Sequence, residues 1–358
     1  MAPNVPAGAG VKLSEAIGRC RGDSRSLDLS ESGNKSNGLK VSAKFHKGLL
    51  VQTAYDLKPK PPLSATVNSF GRYATDHMLQ IKWKRGEGWG TPSIKPVQAF
   101  ELHPFAQVFH YALTCFEGMK VYKDAQGHGR LFRPMMNMNR LMVSASRLDL
   151  PDFDKEALLS YIKHLVKMDE EWIPGHEGYS LYVRPTIMAT AALLGLAPPE
   201  ECLLFVVMTP CGSFPNTAAE GFRELAPIKV LVSMEHVRAW PGGVGYAKVG
   251  GNYAPAIVPQ IEARKFGCSQ VLYVRRDECE GDDGIVGEFG AMNFFAFMQS
   301  KDGSLELVTP VLDGTILPGI TRDSVLSLCR EWGEFRVSER TLRFQEVSRN
   351  LLSPFLFF

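Results

Sequence analysis

Trp240-Pro-Gly-Gly-Val-Gly-Tyr-Ala-Lys-Val-Gly-Gly-Asn-Tyr253 sets five glycines around one lysine, Lys248. Glycine lets a backbone turn tightly and lets a ligand approach it closely. A lysine framed by such a backbone can lose solvation and, with it, proton affinity. A neutral amine of that kind can attack an aldehyde and hold it as a Schiff base. A solvated lysine in a glycine-rich surface turn is the alternative, and this window alone leaves both open. A phosphate-binding P-loop is excluded, because that loop needs Ser or Thr directly after the lysine and Val249 follows here.

The 358 residues around this window are 45% hydrophobic and 22% charged, an ordinary globular balance that the length divides into two expected domains. Net charge is +2 with both signs interspersed, which implies no nucleic-acid or membrane patch. No apolar run approaches the roughly 20 residues of a membrane span. Seven cysteines, with no Cys-x-x-Cys and no zinc spacing, suit a reduced intracellular protein, cytoplasmic or mitochondrial. No metal site is expected.

Residues 1–62 read as a disordered or targeting tail. The stretch up to Lys44 is rich in Gly, Ser, Asn and Lys and holds no aromatic residue. Its early basic lean (Lys12, Arg19, Arg21, Arg25) suits an organelle transit peptide, and Glu15, Asp23, Asp28 and Glu31 argue against one. A first α+β domain is expected over 63–211, a linker over 212–227, and a β-rich domain over 228–358. Gln80–Lys84 alternates as a half-buried strand, and Gly118–Lys123, Leu181–Met188 and Cys202–Thr209 read as further strands. Asn139–Leu148 reads as a short helix. Asp154 caps a stronger one whose Leu158, Leu159, Ile162, Leu165 and Val166 share a face. Beyond the linker, strands are expected at Ile228–Met234, Gln270–Arg276, Asn293–Gln299 and Leu305–Thr309. Helices are expected from Pro255 to Phe266 and from about Arg322 to Trp332.

Nine segments in fixed order give this scaffold a family likeness. Asp76-His-Met, Leu102-His-Pro, Phe109-His-Tyr-Ala-Leu-Thr-Cys-Phe-Glu-Gly-Met-Lys120 and Leu131-Phe-Arg-Pro-Met-Met-Asn-Met-Asn-Arg140 stand in the first half. Leu181-Tyr-Val-Arg-Pro185, Arg238-Ala-Trp, Lys248-Val-Gly-Gly-Asn-Tyr253, Glu288-Phe-Gly-Ala-Met-Asn293 and Ile316-Leu-Pro-Gly-Ile-Thr-Arg322 follow. Together they resemble the branched-chain amino acid aminotransferases, pyridoxal 5'-phosphate enzymes of fold type IV, from about Phe70 to about Glu346. The resemblance implies a two-domain α+β fold with the cofactor in the cleft between domains. It also implies a homodimer that moves the amino group of leucine, isoleucine or valine to 2-oxoglutarate.

By that resemblance Lys248 forms the Schiff base with the cofactor and carries the proton from the substrate Cα, a role that needs an amine neutral near pH 7. Glu288 matches the carboxylate that keeps the pyridine nitrogen protonated, so that the ring serves as an electron sink; read alone, it would be a loop residue. Arg140 matches a phosphate ligand, which a guanidinium can hold bidentately. Ile320 and Thr321, with Gly319, open a helix whose N–H groups and dipole face the same phosphate. Tyr253 matches a hydrogen-bond partner of the cofactor's phenolate oxygen. Phe70, Tyr111, Phe116, Tyr182 and Arg184 match walls of the substrate pocket, some of them reaching across a dimer interface. For each aromatic, core packing is the alternative.

Two departures stand out. Ala291 occupies a substrate-side position where the family usually carries threonine. The chain also ends Arg349-Asn-Leu-Leu-Ser-Pro-Phe-Leu-Phe-Phe358, where the family continues to a Ser-Gly-Thr-Ala turn that clasps phosphate and substrate carboxylate. The resemblance therefore implies a C-terminally shortened chain with weak cofactor binding and slow or absent turnover. The alternatives are a D-amino acid aminotransferase, an aminodeoxychorismate lyase, or an inactive isoform acting only through dimerisation.

Overall fold

The computed structural model describes residues 44–46, 48–67, 70–212, 227–276, 283–299 and 302–350. The expected tail up to residue 43, nearly all of the expected linker and the segment after Asn350 lie outside the described residues.

In chain order the first half holds β1 (Leu50–Val51), α1 (Leu63–Thr66), β2 (His77–Lys84), β3 (Gly88–Trp89), β4 (Ser93–Pro96), α2 (Gln107–Tyr111), β5 (Thr114–Phe116), β6 (Met119–Lys123), β7 (Gly129–Leu131), α3 (Pro134–Arg147), α4 (Lys155–Met168), β8 (Ser180–Ala189) and β9 (Glu201–Cys211). The second half holds β10 (Val230–Ser233), α5 (Ile257–Lys265), β11 (Gln270–Arg275), β12 (Ile285–Phe289), β13 (Ala296–Gln299), β14 (Leu305–Pro310), α6 (Ile320–Trp332), β15 (Arg336–Arg340) and α7 (Phe344–Asn350).

The first-half strands build one nine-stranded sheet, with path β1-β4-β2-β9-β8-β6-β7 and with β3 and β5 added on β2 and β8. Its spine is the ten-residue antiparallel pairing of β8 with β9, from Ser180↔Cys211 to Ala189↔Cys202. Two three-stranded sheets follow, β10-β11-β12 and β13-β14-β15. Helices and mixed sheets together make an α+β fold.

Helix α4 buries the face read from its sequence, and the Asp154 side chain accepts from Ala157 N at 2.9 Å. Helix α3 starts five residues before the expected Asn139. Pro134 sits at its first position, where the missing N–H costs nothing, and Arg133 enters it at φ 46°. Its buried stripe of Met138, Leu141 and Ala145 is interleaved with buried Asn137 and Ser144, which obscures the apolar period.

Described structure begins before residue 63, inside the stretch expected as a tail. Phe45 packs edge-to-face on Trp89 and Tyr161, β1 runs parallel to β4, and Ala54 N donates to His77 Nε2 at 2.9 Å. Two strand residues and one buried aromatic are too short a signal to show any periodicity.

The core of the large sheet extends into the lysine segment, since Ala247 and Val249 are both buried in it. Val249 also forms an antiparallel bridge with Cys115, the middle residue of β5. The lysine window is thereby fastened to the first-half sheet, although it follows the expected linker in sequence.

Candidate active site

Lys248 is held by its own main chain before its side chain does anything. Its N–H donates to Ser144 Oγ on α3 at 2.8 Å, and its carbonyl accepts from Phe116 N at 3.0 Å. Asn252 clips the loop by donating to the carbonyls of Val244 (2.8 Å) and Ala247 (2.9 Å). Gly245 has no room for a side chain, because a Cβ there would stand 2.3 Å from the Thr315 carbonyl oxygen. Gly243, Gly245 and Gly250 therefore serve close approach, and Lys248 is largely desolvated rather than in a solvated surface turn.

The amine lies 4.9 Å from the ring centroids of both Phe116 and Tyr253 and 3.0 Å from Tyr253 Oη. Burial pushes its pKa down to about 8, aided by the positive charges of Arg140 and Arg184 and opposed by Glu117 and Glu288. Burial also raises the Tyr253 phenol to about 12, so it stays a neutral donor and acceptor.

Glu288 lies on β12, not in a loop, and is buried. Opposite Tyr273 of β11, β12 carries two residues, Gly287 and Glu288, between the registered pairs Leu272↔Phe289 and Val274↔Val286. Such a bulge re-aims a side chain and breaks strand alternation, and two flanking glycines make the stretch look like a loop. Glu288 Oε1 accepts from Asn293 Nδ2 and Leu317 N, both at 3.3 Å. Oε2 faces Arg238 Nε at 3.1 Å as an ion pair but accepts no hydrogen bond. Burial raises this carboxyl to about 7 despite Arg238.

Arg140 donates from Nε and Nη2 to Glu117 (2.6 and 2.9 Å) and from Nη1 to the Pro318 carbonyl (3.0 Å). That carbonyl precedes Gly319, the N-cap of α6, so Ile320 and Thr321 form the first turn of that helix. On the other side, the Arg184 guanidinium lies over Phe116 (4.6 Å) and Tyr182 (5.1 Å), donates to Tyr182 Oη at 3.0 Å and leaves its buried Nε unpartnered. Phe70 meets Tyr182 edge-to-face at 4.8 Å.

Eight of the residues singled out in the sequence thus join through described contacts, and Ile320 and Thr321 follow by chain continuity from Pro318. Two do not join them through any described contact. Tyr111 donates to the Leu194 carbonyl on an exposed face, and Ala291 is exposed in the turn after β12. Glu117, Asn137, Ser144, Arg238 and Asn293 belong to the site's framework without having been assigned chemistry. Each is a polar residue whose role comes from burial beside a partner far along the chain, and four of them stand inside the quoted segments.

The donor set fits pyridoxal 5'-phosphate. A buried carboxylate oxygen without a donor suits a protonated ring nitrogen, a desolvated amine suits an aldehyde, and a helix start beside an arginine suits a phosphate. Among the described residues no group of His, Cys, Asp and Glu could hold a metal ion, and no helix is long and apolar enough to cross a membrane.

Comparison with known proteins gives the family. The amino-transferase class IV family model matches residues 114–350. The chain is 47% identical over 281 residues (78% of this chain, 71% of the relative) to a branched-chain-amino-acid aminotransferase of Dictyostelium discoideum. It is 48% identical over 283 residues (79% and 69%) to the mitochondrial branched-chain-amino-acid aminotransferase of Bos taurus, and cytosolic forms match as well. A solved branched-chain amino acid aminotransferase from T.th., complexed with N-(5'-phosphopyridoxyl)-L-glutamate, superposes with a TM-score of 0.57 at 25% identity, covering 75% of this chain and 79% of that one. The likeness covers both Lys248 with its framework and the strands that carry Glu288: this chain belongs to the class IV aminotransferases, pyridoxal 5'-phosphate enzymes.

Proposed function

We propose that the protein transfers the amino group of leucine, isoleucine or valine to 2-oxoglutarate, with Lys248 as its catalytic base. The observation that carries this reading is the Lys248 amine itself, brought to a pKa of about 8 beside Tyr253 and within the field of Glu288.

When bound, pyridoxal 5'-phosphate supplies an aldehyde for the incoming amine and a pyridinium ring that accepts the electron pair left at Cα. The chain's own residues do the rest. At pH 7 about one Lys248 amine in ten is neutral, so Nζ can take the Cα proton of the amino acid and return it. Tyr253 Oη orients Nζ. Glu288 offers Oε2 to the ring N–H, and its partner Arg238 favours the ionised carboxylate that this needs. Arg140 still has two of its five N–H groups, which with the first N–H groups of α6 bind the phosphate. Phe70, Phe116 and Tyr182 wall off water and suit an aliphatic side chain, whose burial is worth about 1.5–3 kcal/mol. Arg184 offers its unpartnered Nε–H to a carboxylate.

The active unit is a homodimer in this reading. Phe105, Phe109, Tyr111 and Leu194 are exposed together with Leu196 around the Tyr111–Leu194 hydrogen bond, and a second copy would cover them.

Purified protein supplied with saturating cofactor, leucine and 2-oxoglutarate should release glutamate and 4-methyl-2-oxopentanoate, at a slow rate, and Lys248→Ala should abolish this. Turnover of D-amino acids in preference to L-leucine would overturn the substrate assignment. Unimpaired turnover by Lys248→Ala would overturn the assignment of the base.

A further inference from the structure

Glu117 is the most enclosed charge of the site and has no part in the roles described so far. It is fully buried between β5 and β6. Both strands pair with β8, and Glu117 falls opposite Pro185, to whose carbonyl its own N–H donates at 2.9 Å. Proline has no N–H to return, so the ladder is interrupted where the Glu117 side chain turns towards α3. Gly118 next to it is forced by space, because a Cβ would stand 1.9 Å from Tyr182 Oη.

The carboxylate is fully engaged. Oε1 accepts from Arg140 Nε at 2.6 Å, and Oε2 accepts from Arg140 Nη2 (2.9 Å), Asn137 Nδ2 (2.9 Å) and Gly118 N (3.0 Å). A carboxylate buried this deeply persists only when paired and hydrogen-bonded. Its bidentate grip occupies one edge of the guanidinium, and the Pro318 carbonyl takes an N–H from Nη1. Of five N–H groups, one on Nη1 and one on Nη2 remain. The plane and rotation of the guanidinium are set by Glu117 before any ligand arrives. Asn137, one turn ahead of Arg140 on α3, fixes the carboxylate in turn and also donates to the Gly118 carbonyl at 3.1 Å.

We propose that Glu117 is a positioning residue that holds Arg140 with its two terminal N–H groups presented to the cofactor phosphate. The inference rests on the site reading given above. Arg140 without this partner would keep its charge but lose two hydrogen bonds and a fixed orientation, and a flexible arginine spends side-chain entropy each time it binds. The consequence is selective. Glu117 should matter for the phosphate end of the ligand, and for the aldehyde end, held by Lys248, only through its charge, which raises the amine's pKa.

The test compares pyridoxal 5'-phosphate with pyridoxal, which lacks the phosphate, by the absorbance change on capture at Lys248 in the full-length apo protein. In Glu117→Gln the affinity for pyridoxal 5'-phosphate should fall about 10- to 100-fold, as expected for lost hydrogen bonds to a charged group. The affinity for pyridoxal, measured above about pH 9 where Lys248 is largely neutral with or without the Glu117 charge, should stay within about twofold. In an Arg140→Ala background Glu117→Gln should add almost nothing, because the group it positions is gone. Glu117→Asp keeps the charge but draws the carboxylate back, and should show a smaller loss of the same selectivity. It decides the question if Glu117→Gln does not fold. Equal losses for both aldehydes, or an undiminished preference for the phosphate ester, would overturn the inference. A wild-type protein with no preference for the phosphate ester would instead overturn the phosphate-site reading on which it rests.

Discussion

The main-chain N–H of Lys248 donates to Ser144 Oγ at 2.8 Å, and Ser144 in turn donates to the Arg140 carbonyl one turn earlier on α3 at 2.9 Å. One helix therefore spaces both the lysine and the arginine of the site. Ser144 is fully buried, and Ser144→Ala would leave the Lys248 N–H without its acceptor. A loss of about 1–3 kcal/mol in folding stability is expected, read as a lower urea midpoint at unchanged slope. An unchanged midpoint would mean that water or a shifted backbone replaces the hydroxyl.

Lys248 should show its depressed pKa in its chemistry. With a value near 8 instead of 10.5, the neutral amine accumulates above about pH 8. The rate of pyridoxal 5'-phosphate capture by apo protein, trapped with borohydride, should rise about tenfold per unit up to pH 8 and then level. Arg184→Gln removes a neighbouring positive charge and should move the midpoint upward. Glu288→Gln removes a negative one and should move it downward. A midpoint near 10.5 in the wild type would show that the amine is solvated.

Glu288→Gln keeps the shape of the side chain but cannot favour a charged ring nitrogen. Turnover should fall by at least about 100-fold while cofactor affinity falls far less, because the lost interaction counts most as negative charge develops at Cα. Arg238 would also be left buried without its partner, at a cost of about 3 kcal/mol or more in stability. Equal losses in turnover and cofactor affinity would show that Glu288 only binds.

Gly118→Ala forces a methyl group into the space of Tyr182 Oη and must displace the ring that Arg184 stacks on. Overpacking of this kind costs about 1–3 kcal/mol. The displaced ring should raise KM for leucine more than it lowers kcat. Wild-type KM would mean that Tyr182 can swing aside without touching the pocket.

Much of the fold was legible in the sequence because its signals are local. Asp154 and the stripe from Leu158 to Val166 announce α4, and the alternation of β2 is visible from Gln80 onward. What escaped is short or irregular. Strand β12 was hidden because a bulge and two glycines erase its period, and the start of α3 because buried Asn137 and Ser144 interrupt its apolar stripe. Strand β1 pairs over two residues, too few for any pattern.

The candidate site divides in the same way. Lys248 and its glycine frame stand out in the chain by themselves, whereas Glu288, Arg140 and the aromatic residues were named through the family resemblance carried by the order of the segments. Tertiary structure alone decided which of them meet. It set Tyr111 and Ala291 apart from the cluster, tied Lys248 to α3 through Ser144, and gave Arg140 a buried carboxylate partner 23 residues away. The physical reason is that desolvation and charge pairing act over a few ångströms between segments far apart in sequence. A pKa of about 8 on one lysine and a donorless oxygen on one glutamate exist only once the surrounding backbone has closed over them.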